Sequence, residues 1–149
     1  MYDVVDGKVI NVFPQGSKSD QRDPLNMTIR DFEVDTRIMP HDLIMHIGGW
    51  APELREYLRA RAEEYARKTG RWGSSPGSML SGDTPPPVVK LSLHNLTVRE
   101  ILNAIALYSA KLVEEKQLWD WPPLSWKYEF ITDPNAPTGL GGYPKWSTF

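Results

Sequence analysis

Two stretches of the chain alternate between apolar and polar residues with a period of two, and a stretch of helical period separates them. Val88-Val89-Lys90-Leu91-Ser92-Leu93-His94 alternates. So does Leu124 to Ile131, where Trp126, Tyr128 and Phe130 share one face and Lys127 and Glu129 the other. Between them Val98, Ile101, Leu102, Ile105, Ala106 and Leu112 recur at helical spacing and form one apolar stripe. Thr97 is placed to cap this segment, Glu100 stands at the reciprocal position of a capping box, and Leu96 and Ile101 occupy the staple positions. The pattern predicts a strand, a helix from Thr97 to about Val113, and a second strand, with the helix lying on a sheet through its stripe.

The first half of the chain is patterned less regularly. Tyr2 to Val5 and Lys8 to Phe13 are β-prone runs around Asp6-Gly7, a dipeptide that suits a type I′ turn, and they predict an N-terminal β-hairpin. Pro14 to Pro24 is polar and rich in turn formers. Thr28 to Val34 then alternates imperfectly, because Ile29 falls on the opposite parity from Phe32 and Val34; a strand with a bulge accounts for that. Pro40 ahead of Leu43 to Ile47, with Gly48-Gly49 behind, punctuates a short helix. A longer one runs from Pro52 to about Thr69: Leu54, Tyr57, Leu58, Ala62, Tyr65 and Ala66 repeat at helical spacing, Arg59, Glu63 and Arg67 form an alternating i, i+4 ladder, and Gly70 ends it. Beyond Thr132 the chain is rich in Pro and Gly and reads as an irregular tail.

These elements define an α+β fold with a small antiparallel or mixed sheet and packed helices. At 149 residues the chain fits a single domain, residues 1–149. The alternative is a two-lobe build, 1–72 and 88–149, joined by the Gly, Ser and Pro-rich loop 73–87.

Composition narrows the function classes. A hydrophobic fraction of 40% is that of a globular protein, and no apolar run approaches the ~18 residues of a membrane span. With a net charge of −2 and basic residues interleaved with acidic ones, there is no field to attract nucleic acid or an anionic membrane. The absence of cysteine removes disulfides, thiolate metal sites and a cysteine nucleophile, and leaves the compartment open. Tyr2 to Gly7 carries neither the basic nor the apolar region of a secretory signal, so the expectation is a cytoplasmic protein or a piece of a longer exported chain.

The phrase Lys90-Leu91-Ser92-Leu93-His94-Asn95-Leu96-Thr97-Val98-Arg99-Glu100-Ile101-Leu102-Asn103-Ala104-Ile105, followed by Leu124-Ser125-Trp126, resembles the short domain near the N-terminus of secretins and TonB-dependent transducers. In that family a strand leads through a small turn into a helix that starts in a Thr/Ser-x-x-Glu-(Ala/Ile)-Leu pattern, and a strand with an aromatic or aliphatic residue returns to the sheet. The resemblance covers about the last third of the chain. Lys111 to Pro123 makes a longer helix-to-strand connection than that compact domain, and the N-terminal half has no counterpart in it. The resemblance implies a non-enzymatic module of the bacterial envelope, periplasmic if exported, that binds protein by sheet-edge or helix-face docking.

Candidate chemistry is sparse. His41, His46 and His94 with Asp42 could be imagined as a zinc set, but positions i and i+5 lie about 140° apart on a helix, unlike the i, i+4 pair that aims two imidazoles at one ion. Gly139-Leu140-Gly141-Gly142 has no strand-to-helix setting for a phosphate, and Ser74, Ser75 and Ser78 lack a nucleophile elbow. Glu63-Glu64 and Glu114-Glu115 are helix neighbours that point to different faces, as solvated surface does. Trp119, Trp121 and Trp146, in segments with flanking prolines, are the candidates for a partner-binding aromatic surface; the simpler alternative is that these rings cover the open side of the sheet.

No cofactor and no metal are expected. The function expected from these residues is a non-catalytic protein-interaction module with a protein partner. Two rivals stand beside it. One is a ligand-binding or enzymatic domain assembled from dispersed residues, with 73–87 as a lid and a histidine as its polar group. The other is a phage or mobile-element structural protein that assembles through its tail.

Overall fold

The structure, a computed structural model, describes residues 2–5, 9–12, 17–19, 21, 23–70, 85–116, 124, 126–132 and 142–148. For 2–3, 5, 9–12, 17, 127–132 and 142–148 it describes the backbone alone. The fold is α+β. Strands β1 (Tyr2–Val5) and β2 (Val9–Val12) precede β3 (Thr28–Arg37), α1 (Pro40–Met45), α2 (Pro52–Thr69), β4 (Val88–Thr97), α3 (Val98–Lys116), β5 (Trp126–Thr132) and β6 (Gly142–Thr148). Short 3-10 turns cover Ser17–Ser19, Pro24–Asn26 and Ile47–Gly49.

Every described sheet is a two-stranded antiparallel ribbon: β1 with β2, β3 with β4, and β5 with β6. In the first of these, Val5 pairs with Val9, so Asp6, Gly7 and Lys8 all lie between the strands. The hairpin stands as expected, and the Asp6-Gly7 turn expected within it lies outside the described residues.

β3 and β4 form the longest ribbon, ten residues each, although fifty residues separate them in sequence. The parity slip within β3 has a different cause from a bulge. Thr28 pairs with Thr97 and Ile29 with Leu96, while Asp31 pairs with His94 and Phe32 with Leu93, so the register is the same on both sides and no residue is inserted. Only the Arg30–Asn95 position drops out of the ladder, and there Asn95 has a left-handed backbone, φ 53°. That turn rotates both strands together. Ile29 and Leu96 lie inward on one side of it, and Phe32, Val34, Val89, Leu91 and Leu93 on the other.

The core lies on that inner face. Ile29, Phe32 and Val34 of β3, Val89 of β4, Leu43 and Ile44 of α1, Ile47, Ala51 and Leu54 beyond it, and Val98, Ile101, Leu102 and Ile105 of α3 form one buried cluster. The stripe read from the sequence is buried at every position from Val98 to Leu112, each large side chain contributing roughly 1.5 to 3 kcal/mol before entropy. The helix start follows the expected chemistry: the Thr97 amide donates to Glu100 Oε2 at 2.7 Å, and the Glu100 amide donates to Thr97 Oγ1 at 3.3 Å. α3 runs on to Lys116, three residues past the expected end. Near its start the buried Arg99 reaches Asp23 at 3.7 Å and Asn26 at 3.5 Å, tying the Pro24–Asn26 turn to α3.

α2 ends at Gly70 in the left-handed conformation, φ 68°, its amide returning to the Ala66 carbonyl at 2.8 Å. Leu54, Tyr65 and Ala66 are buried, whereas Ala62 is exposed, so the apolar face narrows in the middle of the helix. Two expectations for the C-terminal segment need correction. β5 does not join the sheet beneath α3; Trp126 pairs with Thr148 and Thr132 with Gly142, so its partner is β6. The segment read as an irregular tail is therefore strand from Gly142 to Thr148, lying against α1 and α2. A two-stranded ribbon consists only of edges, which is where Pro144 can sit without breaking a ladder.

Candidate functional site

The outer face of the β3–β4 ribbon gathers the polar residues of both strands into cross-strand pairs. Register sets Asp31 opposite His94, Glu33 opposite Ser92 and Asp35 opposite Lys90. Each pair is closed by side chains: His94 Nδ1 lies 3.0 Å from Asp31 Oδ1, the Ser92 hydroxyl donates to Glu33 Oε1 at 2.7 Å, and Lys90 Nζ lies 3.5 Å from Asp35 Oδ2. His94 Nε2 also lies 3.1 Å from Ser92 Oγ and 3.4 Å from Glu33 Oε1, so the imidazole links two rungs. Asp31, Glu33, Asp35, Lys90 and His94 are all well exposed, from His94 at 55% to Asp31 at 75%. Exposed pairs of this kind contribute about 0 to 1 kcal/mol each, so the ladder adds little to stability and presents an ordered polar surface.

The backbone of the same ribbon is oriented by one bond beyond its end, where the Ile38 amide donates to the Pro87 carbonyl at 3.1 Å. In an antiparallel ladder, pairs that exchange hydrogen bonds alternate with pairs whose amides and carbonyls point outward. Counting in twos from Ile38, the backbone groups of Arg37, Asp35, Glu33 and Asp31 point away from β4, and those of Val88, Lys90, Ser92 and His94 away from β3. The Tyr108 hydroxyl donates to the Val88 carbonyl at 3.3 Å, as an outward carbonyl at that position allows.

The two edges are furnished differently. β4 is entered through Pro85-Pro86-Pro87, has its Val88 carbonyl taken by Tyr108 of α3, and presents Lys90, all features that discourage a neighbouring strand. Among the described elements none but β4 runs alongside β3, and all of β3 apart from Ile29, Phe32 and Val34 is exposed. The basic residues flanking the acidic row are turned elsewhere, Arg30 to Glu53 at 3.2 Å and Arg37 to the Pro86 carbonyl at 3.4 Å.

The residues singled out from the sequence are distributed as follows. His41, half-buried in the first turn of α1, lies 3.4 Å from its neighbour Asp42; His46 follows α1, and His94 is on the ribbon. Among the described residues no three His, Asp or Glu side chains gather as a metal set. Glu63 pairs with Arg59 at 3.6 Å, Glu64 with Arg61 at 3.4 Å and Lys68 at 3.0 Å, and Glu115 with Lys111 at 3.6 Å, each within its own helix. Trp146 stands opposite Tyr128 in the β5–β6 register. Trp119, Trp121, Ser74, Ser75, Ser78, the greater part of 73–87 and Gly139 to Gly141 lie outside the described residues. No described helix is long and apolar enough to cross a membrane.

The sequence pattern alone singles out none of Asp31, Glu33 and Asp35, offers Lys90 and Ser92 only as strand residues, and offers His94 only as a member of a zinc set or as a lone polar group. The signal was present as two polar half-patterns of period two, one acidic and one not. It becomes a site only when the two strands are known to pair. Compared with protein families, curated proteins and solved structures, the chain finds no match.

Proposed function

We propose that this chain is a non-catalytic protein-interaction module, part of a larger bacterial envelope protein of the kind its Lys90 to Ile105 segment resembles, and that it engages its protein partner by strand addition to the β3–β4 ribbon. The observation that carries the reading is a ribbon of two ten-residue strands that, among the described elements, pair only with each other. Outward amides and carbonyls in a row are a template for an extended segment, and a rigid helix-backed ribbon presents them already ordered. The sequence from β4 into the capped α3 supports the family reading in that a strand leads into a helix opening at Thr97-x-x-Glu100, although here β4 runs straight into α3 without the small turn of that family.

Charged edges also serve simply to repel other strands. The two roles separate in a cell. A photo-crosslinking residue at Thr36 should yield a discrete protein adduct that disappears with Glu33→Pro, which removes an outward amide while leaving the bonds to β4 in place. The same probe at Arg59 on α2 serves as control. An adduct pattern identical at Thr36 and Arg59, or insensitive to Glu33→Pro in a folded variant, overturns the reading.

A further inference from the structure

The ribbon has two edges, and they are not equivalent. Resting on the strand-addition reading above, we infer that the accepting edge is that of β3, and that its partner is an extended segment carrying basic residues at every second position. A strand docked on β3 sits about 4.8 Å away, with alternate side chains about 4.5 to 5.5 Å from those of β3 on the same face. On the polar face those β3 residues are Asp31, Glu33 and Asp35, exposed by 75%, 58% and 71%. Their β4 side is already occupied by His94, Ser92 and Lys90, so the guest side is where a second charge partner fits. Lys or Arg at i, i+2 and i+4 of the guest meets all three carboxylates in register.

The same geometry rejects other occupants. A second copy pairing antiparallel through β3, in any register centred on the acidic row, sets Glu33 of one copy against an acidic residue of the other, and like charges directly opposite are destabilising. An acidic strand meets the same repulsion. The β4 edge is closed at one end by the three prolines and by the Tyr108 bond to Val88.

The test uses the full chain and two synthetic ten-residue peptides, one alternating Lys with Val and Thr, the other with Glu in place of Lys. Amide exchange followed residue by residue should show the Lys peptide protecting the outward amides of Asp31, Glu33 and Asp35. Its affinity should exceed that of the Glu peptide at least tenfold and weaken as salt is raised. Glu33→Lys should lower that affinity at least tenfold and Asp35→Asn by a smaller factor, with both variants checked for an unchanged melting midpoint; Arg59→Glu should leave it unaltered. Protection of the Lys90, Ser92 and His94 amides instead, or equal binding of the two peptides, overturns this inference and leaves strand addition standing. A β3-mediated dimer in sedimentation, or no protection from either peptide, also overturns it. The crosslinking contrast between Thr36 and Arg59 then judges the broader reading separately.

Discussion

Ile29 and Phe32 stand three residues apart on one strand and are both fully buried in the same core. A regular strand sends residues of opposite parity to opposite faces. The two are reconciled by Asn95, whose left-handed backbone faces Arg30 across the ribbon and rotates the last two rungs before α3 begins.

That residue is therefore a sharp probe of the fold. Asn is among the few side chains that tolerate the left-handed region, and a β-branched residue there is strained. Asn95→Val should destabilise the protein by about 1 to 3 kcal/mol, whereas Asn95→Gly should stay within about 0.5 kcal/mol of the parent. Urea unfolding of the two variants measures the difference. Equal stabilities would mean that the rotation is not set by this residue.

The capping box predicts a coupling. Thr97→Ala should cost about 1 kcal/mol through the loss of the cap at the start of α3. Because Thr97 and Glu100 exchange reciprocal bonds, adding Glu100→Ala should cost less on the Thr97→Ala background than on the parent. A double-mutant cycle with strictly additive costs would show that the two bonds act independently.

Glu53 predicts a pH dependence. Its carboxylate is held below the ordinary 4.5 first by its own amide at the opening of α2, against a desolvation effect, and then by Arg30. A depressed carboxylate contributes stability above its unfolded value that is lost as pH falls through the folded one. With Arg30 largely exposed the contribution is well under about 1 kcal/mol. In an NMR titration the Glu53 midpoint should lie below 4.5 and rise in Arg30→Ala, while remaining depressed because the amide is still there. A midpoint unmoved by Arg30→Ala would remove the Arg30 contribution.

The β5–β6 ribbon predicts that the C-terminal segment is structural. A chain ending at residue 132 leaves β5 without its partner and uncovers part of α1 and α2. Its loss should cost at least about 2 kcal/mol, or roughly 5 °C in melting midpoint for a chain of this size. An irregular tail could be removed with no change.

What the sequence makes legible is local. The Thr97 cap, the Gly70 stop and the Val98 to Leu112 stripe are each decided by residues within a few positions of one another, and all stand as read. What it hides is pairing. Nothing near Phe32 announces that Leu93 will lie opposite, and nothing near Trp126 that Thr148 will. β6 was obscured for a further reason: Gly141, Gly142 and Pro144 weigh against a strand locally, and only the partner strand turns Tyr143 to Trp146 into one. The same limit hid the candidate site. Three acids and three partners become a ladder only across a ribbon whose strands lie fifty residues apart.

β4 ends at Thr97 and α3 begins at Val98, so strand and helix meet with no linker between them. A joint without slack works as a lever. α3 has 19 residues and is about 28 Å long, so tilting its base by roughly 5° carries its far end through about 2.5 Å. A strand added at the ribbon that alters its twist would be felt at Lys116, and through it in whatever follows along the chain.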